Sequence, residues 1–251
     1  MSNSRDKNII FITGGNRGIG LETARQLGKL GAHVVIGARS AKGGAEAITT
    51  LAAEGITAET LVFDVTSKAD HQAAYDHFAS KHGRLDVLIN NAGVHLEGEP
   101  MVEALYTAST TPEQVLRDTM EANFFSVVAV TDTLLPLIRK SEAGRIVNLS
   151  TILASLTMMS DPTSPIYPMK SLAYDTSKVA INSYTIHLAH ELRDTPIKVN
   201  SAHPGWVLTD MGGRHAQMTI EDGAKTSVAL ATLAADGPSG SFIHLGEALP
   251  W

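Results

Sequence analysis

The sequence predicts one doubly wound α/β domain over residues 1–251, a parallel sheet with helices on both faces. Short β-branched runs alternate with longer helical patterns from end to end, which is the rhythm of strand–helix–strand units. A glycine-rich turn, Thr13-Gly14-Gly15-Asn16-Arg17-Gly18-Ile19-Gly20, follows the first apolar strand directly. Loop-like segments at Val94 to Thr111, Ile152 to Ala173 and Thr209 to Thr219 all follow strands, at the sheet edge where open α/β folds bind ligands. The length suits a single unit of this class.

The first strand, Ile9–Thr13, is the apolar run Ile9-Ile10-Phe11-Ile12 closing on a threonine. A helix over 19–30 opens inside the glycine turn, with Ile19, Ala24 and Leu27 as its apolar positions. The strand His33–Gly37 and a helix over 42–54 follow, then the strand Glu59–Phe63, a helix over 68–82 and the strand Val87–Asn90. A long helix is expected over 112–139, and its apolar stretch Phe124 to Ile138 is interrupted by Thr131, Asp132, Thr133 and Pro136. The strand Arg145–Leu149, a helix over 174–193, the strand Lys198–Ala202, a helix over 221–235 and a last strand Ser241–His244 complete the pattern. Right-handed crossovers place the helices on both faces.

Composition removes several functions. Hydrophobic residues make up 43% and charged ones 18%, enough for a full core. The formal charge is −6 and the 20 Lys and Arg form no basic run, which argues against nucleic acid as a partner. The lack of cysteine rules out disulfides, thiolate zinc sites and cysteine nucleophiles, and fits the cytoplasm. The polar start Met1-Ser2-Asn3-Ser4-Arg5-Asp6-Lys7 shows no signal peptide, and no run reaches the roughly 20 apolar residues of a membrane span, so a soluble protein is expected. The ten histidines show no tight ligand spacing, so no metal is expected, and no Gly-x-Ser-x-Gly elbow marks a hydrolase.

Tyr174 and Lys178 stand one helical turn apart and share a helix face. The Lys178 charge is expected to favour the ionised phenol of Tyr174 and draw its pKa down from about 10, making it a proton donor and acceptor near neutrality. A phenol, an ammonium and a phosphate-binding turn together suggest hydride transfer. The second strand ends at Ala38-Arg39-Ser40 without the carboxylate that would hold a ribose 2′-hydroxyl; Arg39 offers a fork for a 2′-phosphate instead, and Arg17 a second charge.

With its Gly-x-x-x-Gly-x-Gly turn, Asn90-Asn91-Ala92-Gly93, Tyr174-x-x-x-Lys178 and Pro204-Gly205-Trp206-Val207-Leu208-Thr209 in that order, nearly the whole chain resembles the short-chain dehydrogenase/reductase family. The resemblance implies NADPH as cofactor, held by Gly14, Asn16, Arg17, Gly18, Ile19, Gly20, Arg39, Asp64, Val65, Asn91, Ala92 and Gly93, and by Pro204, Gly205, Val207 and Thr209 at the nicotinamide. It implies Asn123, Thr151, Tyr174 and Lys178 as the catalytic group, with Tyr174 and Lys178 also touching the cofactor. Asn123 is the residue expected to hold a water linking Lys178 to solvent, and packing alone is its other reading. Thr151 stands where the family usually has serine; its hydroxyl can donate the same hydrogen bond, while its methyl adds bulk. Ser150, expected on the other face of a regular strand, is the alternative.

The 23 positions from Thr151 to Tyr174 include a proline-rich insert, Met158 to Pro168. Some carbonyl reductases of the family carry an insertion there, which points to reduction of small to medium apolar ketones or aldehydes. Met158, Met159, Trp206 and Met211 are candidate pocket residues, and Trp251 is expected to seal the core, the pocket wall or a neighbouring subunit. Monomer, dimer and tetramer stay open. The reading from another class is a non-catalytic NADP(H)-sensing protein of the same fold.

Overall fold

The computed structural model describes residues 7–99 and 103–251. The elements in chain order are β1 (Ile9–Ile12), α1 (Gly18–Lys29), β2 (His33–Ala38), α2 (Ala41–Ala53), β3 (Ala58–Val62), α3 (Lys68–Lys81) and β4 (Val87–Asn90). A short hairpin follows, β5 (Gly98–Glu99) with β6 (Glu103–Ala104), then α4 (Glu113–Met120), a π turn (Glu121–Phe125) and α5 (Ser126–Ile138). The chain continues through β7 (Arg145–Leu149), a 3₁₀ turn (Ile152–Ala154), α6 (Leu156–Ser160), α7 (Leu172–Glu191), β8 (Lys198–Ala202), α8 (Ile220–Ala231), β9 (Ser241–His244) and β10 (Glu247–Ala248).

The main sheet runs β3-β2-β1-β4-β7-β8-β9-β10, parallel throughout except for β10, which turns back against β9. Neighbouring strand residues point to opposite faces and so build two cores. Phe11, Val35, Leu88, Ile146 and Val199 bury one face against Phe78 of α3, Leu134 of α5 and Leu188 of α7. Ile10, Ile12, Val34, Ile36, Ile89 and Val147 bury the other against Leu27 of α1, Leu51 of α2 and Leu230 of α8. Serine and threonine caps start several helices: Ser40 Oγ accepts from Gly43 N, Ser67 Oγ from Asp70 N and Thr219 Oγ1 from Asp222 N.

The expected helix over 112–139 exists but is not regular, because the five residues Glu121–Phe125 form a π turn in its middle. The segments expected to be loops carry structure: the β5–β6 hairpin lies within 94–111, whose residues 100–102 are outside the described residues, and the 3₁₀ turn and α6 lie within 152–173. Residues 1–6 of the polar start also lie outside them. The helical run Glu113–Ile138 is long and apolar enough by composition to cross a bilayer. Here it is a core helix whose Val127, Val130, Leu134 and Leu137 are buried, and it carries the buried polar Asn123 and Thr131.

Candidate active site

The glycine turn is shaped for an anion. Gly14 and Gly18 take φ of +62° and +53°, the left-handed region that glycine enters without a Cβ clash. Arg17, at the position before α1, provides no side-chain cap, so the first backbone N–H groups of the helix are left for a phosphate. Ile19 and Gly20 form the first turn of α1. Asn91 braces the turn from β4: its Nδ2 donates to Thr13 O at 2.8 Å and Gly14 O at 3.1 Å, and its backbone N–H donates to Thr13 Oγ1. The same Thr13 oxygen accepts from Ala92 N.

Beyond β2, Arg39 is exposed and has no ion pair among the described residues. Asn16 reaches the start of α2, its amide 3.0 Å from where a Cβ on Gly43 would lie. Arg17 is engaged: its guanidinium donates to Asp210 Oδ2 at 2.5 Å, an exposed pair that ties the glycine turn to the segment after β8. Asp64 Oδ1 accepts from both the N–H and the hydroxyl of Thr66; these bonds foremost, and the Arg39 charge as well, hold its carboxyl below the usual range. Val65 follows, its carbonyl 2.7 Å from His71 Nε2.

Asn123 sits fully buried in the π turn. Its Oδ1 accepts from Val94 N at 2.7 Å, and its Nδ2 donates to Val94 O and to Ser177 Oγ. Ser177 Oγ in turn donates to Tyr174 O. A Cβ on Gly93 would lie 3.2 Å from Asn123 Oδ1, a tight contact, and 3.6 Å from Lys178 Nζ, so the bare backbone packs closely against both groups. The Asn123 side chain thus joins the loop after β4 to α7. The π turn lets the helix backbone depart from regular pairing at Asn123.

Thr151 opens the 3₁₀ turn as its cap, its Oγ1 accepting from Leu153 N at 3.3 Å and keeping its own proton to donate. Ser150 does not lie apart from it. The strand ends at Leu149, so regular alternation stops there and both residues line one pocket with Tyr174. Ser150 Oγ is buried without a hydrogen bond.

On α7, Lys178 Nζ donates to Leu149 O at 2.8 Å and lies 5.8 Å from the centre of the Tyr174 ring. The shared helix face is as expected, but the expected lowering of the phenol pKa is not found. Burial of the ring pushes the Tyr174 pKa up, and the neighbouring Asp175 charge adds to this. Burial also lowers Lys178 to about 8. Helical spacing brings the pair together, while the surrounding apolar packing disfavours both charged forms.

The loop after β8 faces the turn. Pro204, Gly205, Val207 and Thr209 line the pocket, and Thr209 Cγ2 lies 3.5 Å from where a Cβ on Gly18 would be. Thr209 Oγ1 accepts from Gly212 N, and Trp206 Nε1 donates to Gly212 O at 2.7 Å, which fixes the loop. The pocket holds about 140 Å³. Trp206 and Met211 belong to its wall; Met158 and Met159 do not. Trp251 stacks on Phe242, and its carbonyl oxygen accepts from Thr157 N, pinning the start of α6.

Several site residues carry no sequence signal. Glu97 is 1% exposed, and its two carboxylate oxygens accept from Ala173 N at 3.1 Å and Tyr174 N at 2.8 Å, capping the helix that carries the phenol. Glu97→Ala should lower the unfolding free energy by about 2–4 kcal/mol, read by urea unfolding, because two buried donors lose their acceptor. His95 packs against the Tyr174 ring in a tilted arrangement, centroids 5.0 Å apart, and reaches Ser171 Oγ. His203 Nδ1 accepts from Ile152 N at 3.2 Å, next to Thr151; burial foremost, with His244, lowers its pKa to about 3 and keeps it neutral.

Asp175 accepts from Ser171 N, yet burial first, and the Glu97 charge, raise its pKa to about 7. The folded chain then binds more protons than the unfolded one between about pH 4 and 7, so this group's contribution to stability falls as pH rises through that window. Asp175→Asn should flatten the stability profile there, which chemical unfolding at stepped pH would show.

The chain matches the family model for short chain dehydrogenase over residues 8–219. It is 31% identical to human carbonyl reductase [NADPH] 1, covering 97% of this chain and 98% of that protein. It is 30% identical to short-chain dehydrogenase/reductase 1 of Saponaria officinalis, covering 98% and 96% respectively. Its fold superposes on the carbonyl reductase Sniffer of D. melanogaster with a TM-score of 0.81 at 27% identity, covering 98% of this chain and all of that one (100%). The turn, the pocket and the Tyr174–Lys178 pair thus lie within a family match that spans most of the sequence, and the chain belongs to the short-chain dehydrogenase/reductase family of oxidoreductases.

Proposed function

We propose that this oxidoreductase is an NADPH-dependent carbonyl reductase for small to medium apolar ketones or aldehydes. The observation that carries this reading is that Thr151 and Tyr174, two hydroxyl-bearing residues, line one pocket together with Ile19, Trp206, Val207 and Met211. In this reading both hydroxyls donate to one carbonyl oxygen. The shared pocket favours catalysis over the sensor reading. The NADPH named for the human relative fits the residues present: the glycine turn and the start of α1 for the pyrophosphate, and Arg39 with the start of α2 for the 2′-phosphate.

When bound, NADPH would supply hydride for reduction of the carbonyl. Thr151 and Tyr174 hydrogen-bond the oxygen as negative charge grows on it, and Tyr174 Oη gives it a proton. Lys178, held by Leu149 O, places a positive charge on the Tyr174 side of the pocket and compensates the phenolate left behind. Asn123, Ser177 and Glu97 fix the helix turn that carries both groups.

A phenol whose pKa is pushed up stays protonated through neutrality, which suits reduction; alcohol oxidation needs the phenolate. Carbonyl reduction should therefore be flat to about pH 8 and decline above it as Lys178 loses its charge, whereas oxidation should rise with pH across the same range. Rate profiles in both directions check this. A panel of activated ketones and aldehydes with NADPH and with NADH tests the whole reading, and failure of every compound would overturn it. Thr151→Ala should lower kcat about 10²-fold by removing one donor to the oxyanion, while Thr151→Ser should keep most of the rate.

A further inference from the structure

Far from the pocket, at the opposite end of the strands, three histidines and a carboxylate gather under α3. His33 opens β2, and the β2–β3 register pairs Val35 with Glu59, so His33 and Glu59 lie on the same face of the sheet as diagonal neighbours. His77 comes from the last turns of α3, and His82 ends that helix. His33 Nε2 is 2.8 Å from Glu59 Oε1, and His77 Nε2 is 3.6 Å from Glu59 Oε2. The His33 and His82 rings are 4.9 Å apart.

We propose that His33, Glu59 and His82, with His77 beside them, form a binding site for one divalent transition-metal ion of the Zn²⁺ type. One ligand atom from each of the first three lies within 4.8 Å of the others. Zn–N and Zn–O bonds of about 2.0–2.2 Å require ligand atoms about 3.4 Å apart, so His33 and Glu59, at 2.8 Å, must separate slightly while the wider spacings of the set close. The Nε2 atoms of His33, His77 and His82 are all buried and make no aligned hydrogen bond. Buried polar atoms are ordinarily satisfied, and a shared cation would satisfy those of His33 and His82.

An imidazole and carboxylate set suits zinc better than calcium or magnesium. A cavity of about 280 Å³, bordered by His33, His82, Lys7 and Lys81, gives access from the surface. Lys81 Nζ now pairs with Glu59 Oε2 at 2.5 Å, so it is the cation that the metal must displace. The ion would clamp the edge strands β2 and β3 to α3, and its role would be stability rather than hydride transfer.

The test uses tag-free full-length chain, dialysed against chelator and titrated with ZnCl₂ by calorimetry, with thermal unfolding in parallel. Expected are one Zn²⁺ per chain and a raised midpoint. His33→Asn and His82→Asn should each weaken binding about tenfold or more, since even outer-shell changes at metal sites cost 10–100-fold. Lys81→Gln should tighten it several-fold. Lys81 is half exposed, so that variant folds without difficulty and its gain guards against a loss caused by misfolding. Binding unchanged in both asparagine variants, no binding in wild type and Lys81→Gln alike, or a midpoint raised by inorganic phosphate and not by Zn²⁺ would overturn the proposal.

Discussion

Tyr174→Phe should abolish ketone reduction while leaving NADPH binding within about twofold. The phenol shares the pocket with the hydroxyl residues Ser150, Thr151 and Thr209, and it alone stands on the same helix face as Lys178. A positioned general acid contributes about 10²–10⁴-fold. Loss of the hydroxyl also removes one of two donors to the growing oxyanion, so the fall in kcat should reach the upper part of that range. The ring itself remains, and with it the packing against His95 and the capping of the backbone by Glu97. Unfolding midpoints of the variant should match wild type. A variant retaining a tenth of the rate would remove Tyr174 from the role of acid and leave Ser150 or Thr151 to supply the proton.

Arg39→Ala should raise the KM for NADPH by about 10–100-fold and leave that for NADH almost unchanged, since a hydrogen bond to a charged group is worth about 1.5–3 kcal/mol. Arg39 is placed for this beside the start of α2 and is free of ion pairs among the described residues. Arg17 is placed differently. Its pairing with Asp210 means that a phosphate competes with a carboxylate for the same guanidinium. Arg17→Ala should therefore have the smaller effect, and Asp210→Asn should tighten NADPH binding modestly by releasing Arg17. Steady-state kinetics with the two cofactors separate these outcomes. A parallel loss for NADH and NADPH in Arg39→Ala would deny it a role at the 2′-phosphate.

The strands were the most legible part of the fold. Val87–Asn90, Arg145–Leu149, Lys198–Ala202 and Ser241–His244 are found with the bounds that their β-branched runs indicate. Glycine and the spacing of Tyr174 and Lys178 are local signals, and both survive in three dimensions. What depends on tertiary packing was hidden. The π turn around Asn123 has no marker in Glu121-Ala122-Asn123-Phe124-Phe125, and β10 is a two-residue return that no periodicity announces.

The protonation of the site was hidden for the same reason. The i, i+4 relation gives proximity, but the sign of the pKa shift comes from how deeply the surrounding chain buries the phenol and the ammonium. Glu97 and Ser177 act on Tyr174 through contacts 77 and three residues away in sequence, one of them across the molecule. The histidines around Glu59 show no ligand spacing because β2, β3 and α3 each bring part of the set.

Hydride is expected to pass from NADPH to a carbonyl carbon beside Tyr174, and NADPH deuterated at the transferable position of the nicotinamide, given with an activated ketone that the chain reduces, lets mass spectrometry locate the label. Wild type should place one deuterium on the carbinol carbon of the alcohol, and Tyr174→Phe none over the same time. Alcohol formed without label, or NADPH bound and no ketone or aldehyde reduced, would contradict this transfer.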